Sequence, residues 1–218
     1  MNVKPRKGRI GLIITGIVVG AIALAGGWTA VSFTSDNGPA PFSLPDTPAA
    51  TLSSVDGQWQ TTGGEVGYRA KEEAFGVSHE VVGRTDQVTG TATAEGGALT
   101  KATVTVPLTA FIVNGKPHPA TSTVVDAERV PNATFTAEGI GSLEDSKPLE
   151  VTGTLAFNGQ SHPVTWTVTP KATAADELAL LGTTSIDVTQ WGVTPPSEGG
   201  MFSIEKQVTL EFVTSWKR

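Results

Sequence analysis

The sequence predicts an all-β domain of about eight antiparallel strands, preceded by a single N-terminal transmembrane helix. Three observations lead to this fold class. Apolar and polar residues alternate with a period of two in several segments, which is typical of half-buried strands. Thr, Val, Gly and Pro are plentiful, and the only helix-like apolar run lies at the N-terminus. A chain of 218 residues suffices for one moderate domain plus an appendage.

The first predicted elements are a basic tail at residues 1–9 and a transmembrane signal-anchor at residues 10–31. The apolar run contains no charged residue, and its 22 residues would span roughly the 30 Å of a bilayer core as a helix. The basic flank predicts a cytoplasmic N-terminus and an extracytoplasmic C-terminal domain. A signal peptide cleaved after Ala25, which would release a secreted domain, is the alternative. The length of the run favours the uncleaved anchor.

Residues 32–54 are predicted to form a linker, because they contain four Pro and show no periodicity. The chain carries 15 Lys and Arg against 21 Asp and Glu, and four of the basic residues lie in the N-terminal tail. The remaining chain is therefore strongly acidic, which argues against nucleic acid as a partner. The chain contains no Cys, which excludes disulfides, thiolate metal sites and Cys nucleophiles.

The strands of the domain at residues 55–216 are predicted from their alternating apolar positions. A charged connection at residues 72–87 is expected to be irregular, with Glu72 in a solvated turn. A long loop is expected from Val113 to Arg129. The residues that mark the strands are, in chain order, Trp59, Val66, Tyr68 and Ala70; Val88 to Ala94; Ala102, Val104, Val106 and Leu108; Thr134 to Ala137; Leu149 to Phe157; Val164, Trp166 and Val168; Leu178, Leu180 and Ile186; and Val208, Leu210 and Phe212.

The clearest element is a hairpin centred on Asn158-Gly159. This dipeptide tolerates the two positive φ angles of a type I′ turn, so it joins two strands through a two-residue loop. The loop length places Val151 opposite Trp166 and brings the apolar faces of both arms together. A shift of one residue would turn these side chains outward, so the register is well determined.

The residues on the inward face are almost all apolar and include the small Ala70, Ala102 and Gly153. Among the best-defined strands, His162 is the only ionisable residue predicted to face inward. Such an interior can be either a packed core or a slot for one slim ligand, and the alternation alone leaves both open. The three His residues lie in separate segments without metal-ligand spacing, and no catalytic constellation is evident.

Several motifs resemble the YceI-like family of exported lipid-binding domains. They are R-V-P-N-A-T-F-T at Arg129–Thr136, V-T-G-T-L-A-F-N-G at Val151–Gly159, W-G-V at Trp191–Val193 and a terminal V-T-L-E-F strand. The resemblance covers nearly all of Gln58–Val213. It implies a lipocalin-like antiparallel β-barrel of about eight strands that holds a long polyisoprenoid, such as a prenyl quinone, in its lumen.

The resemblance implies a ligand-binding site on the inward face. Two aromatic residues, Trp191 and Phe202, flank the Pro195-Pro196 loop and could form either a flexible lid at the barrel mouth or a plug that closes its end. Loops between strands often carry binding roles, which favours the lid. The candidate ligand-binding residues are Tyr68, Ala102, Val104, Val106, Leu108, Val151, Gly153, Leu155, Val164, Trp166, Val168, Trp191 and Phe202.

The expected function is therefore that of a membrane-anchored extracytoplasmic carrier of an isoprenoid lipid or quinone, without a cofactor, a metal or an enzymatic activity. A cell-envelope adhesion or interaction module with a packed β-core and no ligand is the alternative.

Overall fold

The computed structural model describes residues 38–113, 116–117, 125, 127 and 129–218. The predicted transmembrane segment at residues 10–31 and His118 lie outside these ranges. Among the residues described, no helix is both long and apolar enough to cross a membrane. The strands are β1 (Gly57–Ala74), β2 (Val77–Thr85), β3 (Thr89–Glu95), β4 (Ala98–Pro107), β5 (Ile112–Val113), β6 (Lys116–Pro117), β7 (Asn132–Ser142), β8 (Leu149–Phe157), β9 (Gln160–Ala174), β10 (Glu177–Asp187), β11 (Ser197–Glu198) and β12 (Phe202–Lys217), with 3₁₀ turns at Leu108–Ala110 and Val188–Trp191.

The long strands form a closed antiparallel barrel. Apart from β2 and β3, which both pair with β1, long strands that follow each other in the chain are neighbours in the sheet, and β12 returns to pair with β1. β2 and β3 both pair with β1 and lie end to end beside it. Their pairing with β1 keeps one register across the interruption at residues 86–88. If β2 and β3 are counted as one strand, the barrel wall consists of eight strands: β1, β2 with β3, β4, β7, β8, β9, β10 and β12. The prediction of an all-β antiparallel barrel of about eight strands is confirmed.

The β8–β9 hairpin has the predicted register. Val151 pairs with Trp166, and Leu155 pairs with His162. At the turn, the φ angles of Asn158 and Gly159 are 50° and 75°, which are the positive values that a type I′ turn requires. This local geometry follows from the sequence because one dipeptide sets the loop and the alternation sets the faces.

The expectation of an irregular connection at residues 72–87 is wrong. β1 continues to Ala74, and a tight turn at Phe75 and Gly76, both with positive φ, leads directly into β2. Glu72 lies on the same face of β1 as Ala70 and Ala74, and only 1% of it is exposed. The prediction failed because it placed the charged residues in a turn, whereas the alternation of buried and exposed residues continues through them to the end of β1.

One end of the barrel, which we call the base, is closed by tryptophan side chains. Trp59 and Trp216 are almost completely buried there and pack in one cluster with Leu52 and Val55. The Trp59 indole N–H donates to the carbonyl oxygen of Val55 at 2.7 Å. The turn between β3 and β4, the turn between β9 and β10 and the end of β12 also lie at the base. The other end, which we call the mouth, carries the longer loops.

Residues 38–56 form an extended segment, here called the strap, that lies along the outer wall before β1 begins. This stretch, which includes part of the predicted linker, contains no helix or strand. Its first residues contact β1 and β2, where Arg69 Nη2 donates to the carbonyl oxygen of Pro39 at 2.5 Å. Further along, the Ala50 N–H donates to the carbonyl oxygen of Ala172 at 2.9 Å, at the base end of β9. The strap thus descends along the wall toward the base.

A cluster of charged side chains lies beneath the first residues of the strap. Glu211 accepts from Arg69 Nε and from Arg84 Nη2, both at 3.0 Å, and Arg69 also donates to Glu80 at 2.6 Å. Burial lowers the pKa of Arg69, but the hydrogen bonds and charges of Glu211 and Glu80 outweigh that effect and hold the pKa above its usual value. The Phe42 ring covers the Arg84 guanidinium at 3.9 Å. The cluster therefore joins β1, β2, β12 and the strap.

Candidate functional site

An elongated cavity of about 280 Å³ occupies the barrel interior. Its lining on β12 extends from Ile204 to Trp216, which is almost the whole strand. At about 3.3 Å per residue and a tilt near 40°, this corresponds to roughly 30 Å along the barrel axis. The lining side chains are apolar, apart from Tyr68, Thr214, Glu205 at the mouth and the indole N–H groups. Glu211 also borders the cavity, but its carboxylate lies in the charged cluster beneath the strap, bound to Arg69 and Arg84. The cavity is therefore long, narrow and suited to an apolar chain.

The cavity is closed at the base and reaches solvent at the mouth. Trp216 forms its floor, and Trp59 lies in the buried cluster beneath that floor. At the opposite end, Val193, Pro195 and Pro196 border the cavity together with Glu205, whose side chain is half exposed. A slim ligand could therefore enter from the mouth and extend toward the tryptophan floor.

Most of the candidate ligand-binding residues border this cavity. Their shared property is an inward position on a long strand, or, for Leu108, on the 3₁₀ turn that follows β4. These residues are Tyr68, Ala102, Val104, Val106, Leu108, Val151, Leu155, Trp166 and Val168. Their role in binding a ligand remains a prediction.

The structure places four candidates away from the cavity, which corrects their assignment. Val164, which pairs with Gly153, is buried in the same apolar cluster as Leu155 and Trp166 but does not border the cavity. Phe202 begins β12 beside Ala74 and Glu198 and does not line the cavity. Trp191 is only 1% exposed and is bound to the tip of the β8–β9 hairpin. Its indole N–H donates to the carbonyl oxygen of Leu155 at 3.1 Å, so Trp191 belongs to the wall and is not a mobile lid.

Gly153 is the fourth corrected position, because an aromatic ring covers it. A Cβ atom at Gly153 would lie 2.5 Å from Phe135 Cζ and 2.3 Å from the backbone oxygen of Thr136. The same arrangement recurs where Tyr68 lies over Gly83 and where Phe212 lies over Gly182. A glycine on one strand thus leaves room for a ring from its neighbour, as in the aromatic rescue of strand glycines. The small residue does not open the lumen here; it accommodates the ring.

We therefore expect Gly153→Ala to destabilise the barrel by about 1–3 kcal/mol, the usual cost of overpacking. The matched control is Gly63→Ala, since a Cβ atom at Gly63 would meet no atom within 4 Å. Urea denaturation followed by tryptophan fluorescence gives both values. Equal free energies of unfolding for the two variants would contradict this packing.

Family comparison assigns this architecture. The YceI-like domain family matches residues 54–216. This chain belongs to the YceI-like family. No curated protein matches the chain significantly.

Two solved structures share the fold of this YceI-like chain at low sequence identity. A polyisoprenoid binding domain from Saccharophagus degradans, implicated in plant cell wall breakdown, is 14% identical and has a TM-score of 0.56. The match covers 73% of this chain and 97% of that one. BcnA from Burkholderia cenocepacia is 19% identical, with a TM-score of 0.53 over 70% of this chain and 95% of that one. At these identities the likeness shows the fold.

The YceI-like barrel also lines its cavity with residues that were not selected from the sequence. Phe135 was missed because its strand was identified only as a short segment. Other missed residues carried the alternation signal, since they lie on the inward phase of recognised strands. They are Val66, Ala70, Leu149, Phe157, Leu180, Ile186, Val208, Leu210 and Phe212.

Two polar groups in the lining affect what the YceI-like cavity can accept. Burial raises the pKa of Tyr68 well above its usual value, so its phenol stays neutral at physiological pH. The Trp166 indole packs between the Phe135 and Phe212 rings, with centroid distances of 6.0 and 5.2 Å. Its buried N–H has no oxygen or nitrogen acceptor in the part of the chain that the structure describes. The inner lining thus offers neutral groups to a ligand.

Proposed function

We propose that this YceI-like protein is a membrane-anchored, extracytoplasmic lipid-binding protein that holds a polyisoprenoid or an isoprenoid quinone in its lumen. The observation that carries the proposal is the long apolar cavity, closed by tryptophan at one end. A linear hydrocarbon chain has the shape of such a space. Each CH₂ group that it buries there contributes about 0.8 kcal/mol to binding. The related domain described as polyisoprenoid binding has the same fold, which supports this ligand class.

The proposed location follows from the N-terminal sequence. A basic tail at residues 1–9 and an uncharged run at 10–31 are the features of a signal-anchor with its N-terminus in the cytoplasm. In this arrangement the barrel is held outside the cytoplasm, next to the bilayer that contains its ligand.

The cavity also favours a carrier over an adhesion module with a packed core. A solid β-core would fill the space between the inward side chains, whereas this barrel encloses about 280 Å³.

The test is to purify the full chain from its own membrane and analyse its bound lipids by native and extraction mass spectrometry. We expect a stoichiometric prenyl lipid, together with an intact N-terminus if the anchor is retained. Protein that carries no lipid and does not bind added prenyl alcohols or quinones would refute the proposed function.

A further inference from the structure

Two neighbouring hairpin tips at the mouth expose large apolar side chains. Phe75 is 60% exposed, Val77 53% and Met201 56%. The Phe75 N–H donates to the carbonyl oxygen of Met201 at 2.8 Å, so the two tips lie side by side. We call Phe75, Val77 and Met201 the mouth tip. Exposed aromatic and Met side chains clustered on adjacent turns are unusual for a surface in water and mark an interaction site.

The charges beside the mouth tip have both signs. Lys71 pairs with Glu205 at 3.5 Å, and Lys206 pairs with Asp187 at 2.9 Å. All four belong to the strand ends that carry the tip or border it. Paired charges of this kind do not create a basic surface that would attract anionic groups over a distance. A partner of the mouth tip must therefore be recognised by apolar contact.

The path of the strap indicates which partner lies nearby. Pro39 is held against Arg69, which lies in the half of β1 nearer the mouth, and the strap runs from there toward the base, so the described part of the chain starts on the side of the mouth. From Arg69 to Phe75 is six residues along β1, or about 20 Å. Residues 32–37, which separate the apolar run from the strap, reach about 20 Å when extended. The predicted bilayer segment can thus end level with the mouth tip.

We propose that the mouth tip inserts into the surface of the bilayer that holds residues 10–31, so that the cavity opens directly onto lipid. The inference rests on the proposed function, because it assigns the side from which the lipid enters. A prenyl chain would then pass from the bilayer into the cavity without exposing its full length to water. Because apolar contact drives this docking, zwitterionic lipid is sufficient for it.

Single-cysteine labelling tests the orientation, and the natural absence of Cys makes it straightforward. The full chain carrying Phe75→Cys, Met201→Cys or Glu95→Cys is labelled with an environment-sensitive dye and reconstituted in phosphatidylcholine vesicles with spin-labelled lipid. Glu95 is the matched control, because it is exposed at the base turn between β3 and β4. We expect strong quenching at positions 75 and 201 and little at 95. Equal quenching at all three sites, or stronger quenching at 95, would overturn the proposal.

A transfer assay separates this inference from the proposed function. The double variant Phe75→Ser/Met201→Ser is expected to take up a fluorescent prenyl lipid from vesicles about tenfold more slowly, because two partly inserted apolar side chains are lost. Its equilibrium loading should be unchanged. Ile112→Ser is the control, since Ile112 is also exposed but pairs with Arg84 away from the tip. Failure of every variant to load lipid would refute the proposed function, whereas normal loading and normal transfer by the double variant would refute the membrane docking alone.

Discussion

Ala102→Phe is expected to weaken ligand binding strongly while the barrel remains folded. Ala102 lines the cavity and lies between Ala92 and Ala137 on the neighbouring strands, so three small side chains adjoin there. A phenylalanine ring at this position must enter the narrow lumen. Burying ~500 Å² of a hydrocarbon chain would contribute on the order of 12 kcal/mol before the costs of association, and a blocked lumen loses much of that contact. We expect a decrease in affinity of at least about tenfold, or about 1.4 kcal/mol.

The matched control is Thr103→Phe, which inserts the same ring one position along β4 and therefore on the outer face. Thr103 pairs with Thr91 and Thr136, so the control ring joins a polar row on the outside of the barrel. Titration with a fluorescent prenyl lipid, together with lipid analysis of the purified proteins, measures the difference. A folded Ala102→Phe variant that carries as much lipid as Thr103→Phe would show that the ligand does not occupy this part of the lumen.

Glu211→Gln is expected to produce the largest loss of stability, about 3–5 kcal/mol, because it breaks a buried ion pair from one side. Glu211 is 5% exposed and accepts hydrogen bonds from both Arg69 and Arg84. Glutamine keeps the size of the side chain but removes the charge that balances two guanidinium groups. Arg69, which is 8% exposed, would then be buried with only the partly exposed Glu80 as a charged partner.

The surface pair of Lys101 and Glu138 provides the comparison. Their side chains are largely exposed and 3.6 Å apart, so Glu138→Gln should change the free energy of unfolding by less than about 1 kcal/mol. Urea denaturation of the two variants gives the contrast. If Glu211→Gln is no more destabilising than Glu138→Gln, the buried cluster does not hold the strap and β12 together.

Local features of the fold could be predicted from the sequence. The register of the β8–β9 hairpin could be predicted, because Asn158-Gly159 sets the turn and apolar and polar residues alternate along each strand. The strand at Glu72 was missed for the opposite reason. The charge of Glu72 predicts exposure to solvent, although the alternation of Ala70, Glu72 and Ala74 continues through it. Burial of a carboxylate depends on what packs around it, and single-strand patterns do not contain that information.

The candidate site shows the same division. Alternation correctly placed Ala102, Val151 and Trp166 on the face that borders the cavity. It could not show that Phe135 covers Gly153, because that contact comes from the neighbouring strand. Trp191 was expected near the mouth, but only the folded hairpin tip offers the carbonyl of Leu155 to its indole N–H. Contacts between neighbouring strands therefore decide which inward residues border the lumen, and the alternation along a single strand does not show them.

The sequence by itself determined the all-β class, the faces of the principal strands and the hairpin turn, because each depends on dihedral preferences and on a period of two within a short segment. Only the tertiary structure decided that β12 pairs with β1 to close the wall, that Trp59 and Trp216 seal one end, and that Glu211 is buried beneath the strap. These features join residues more than a hundred positions apart, and their free energy arises from packing and charge neutralisation that exist only when the segments meet.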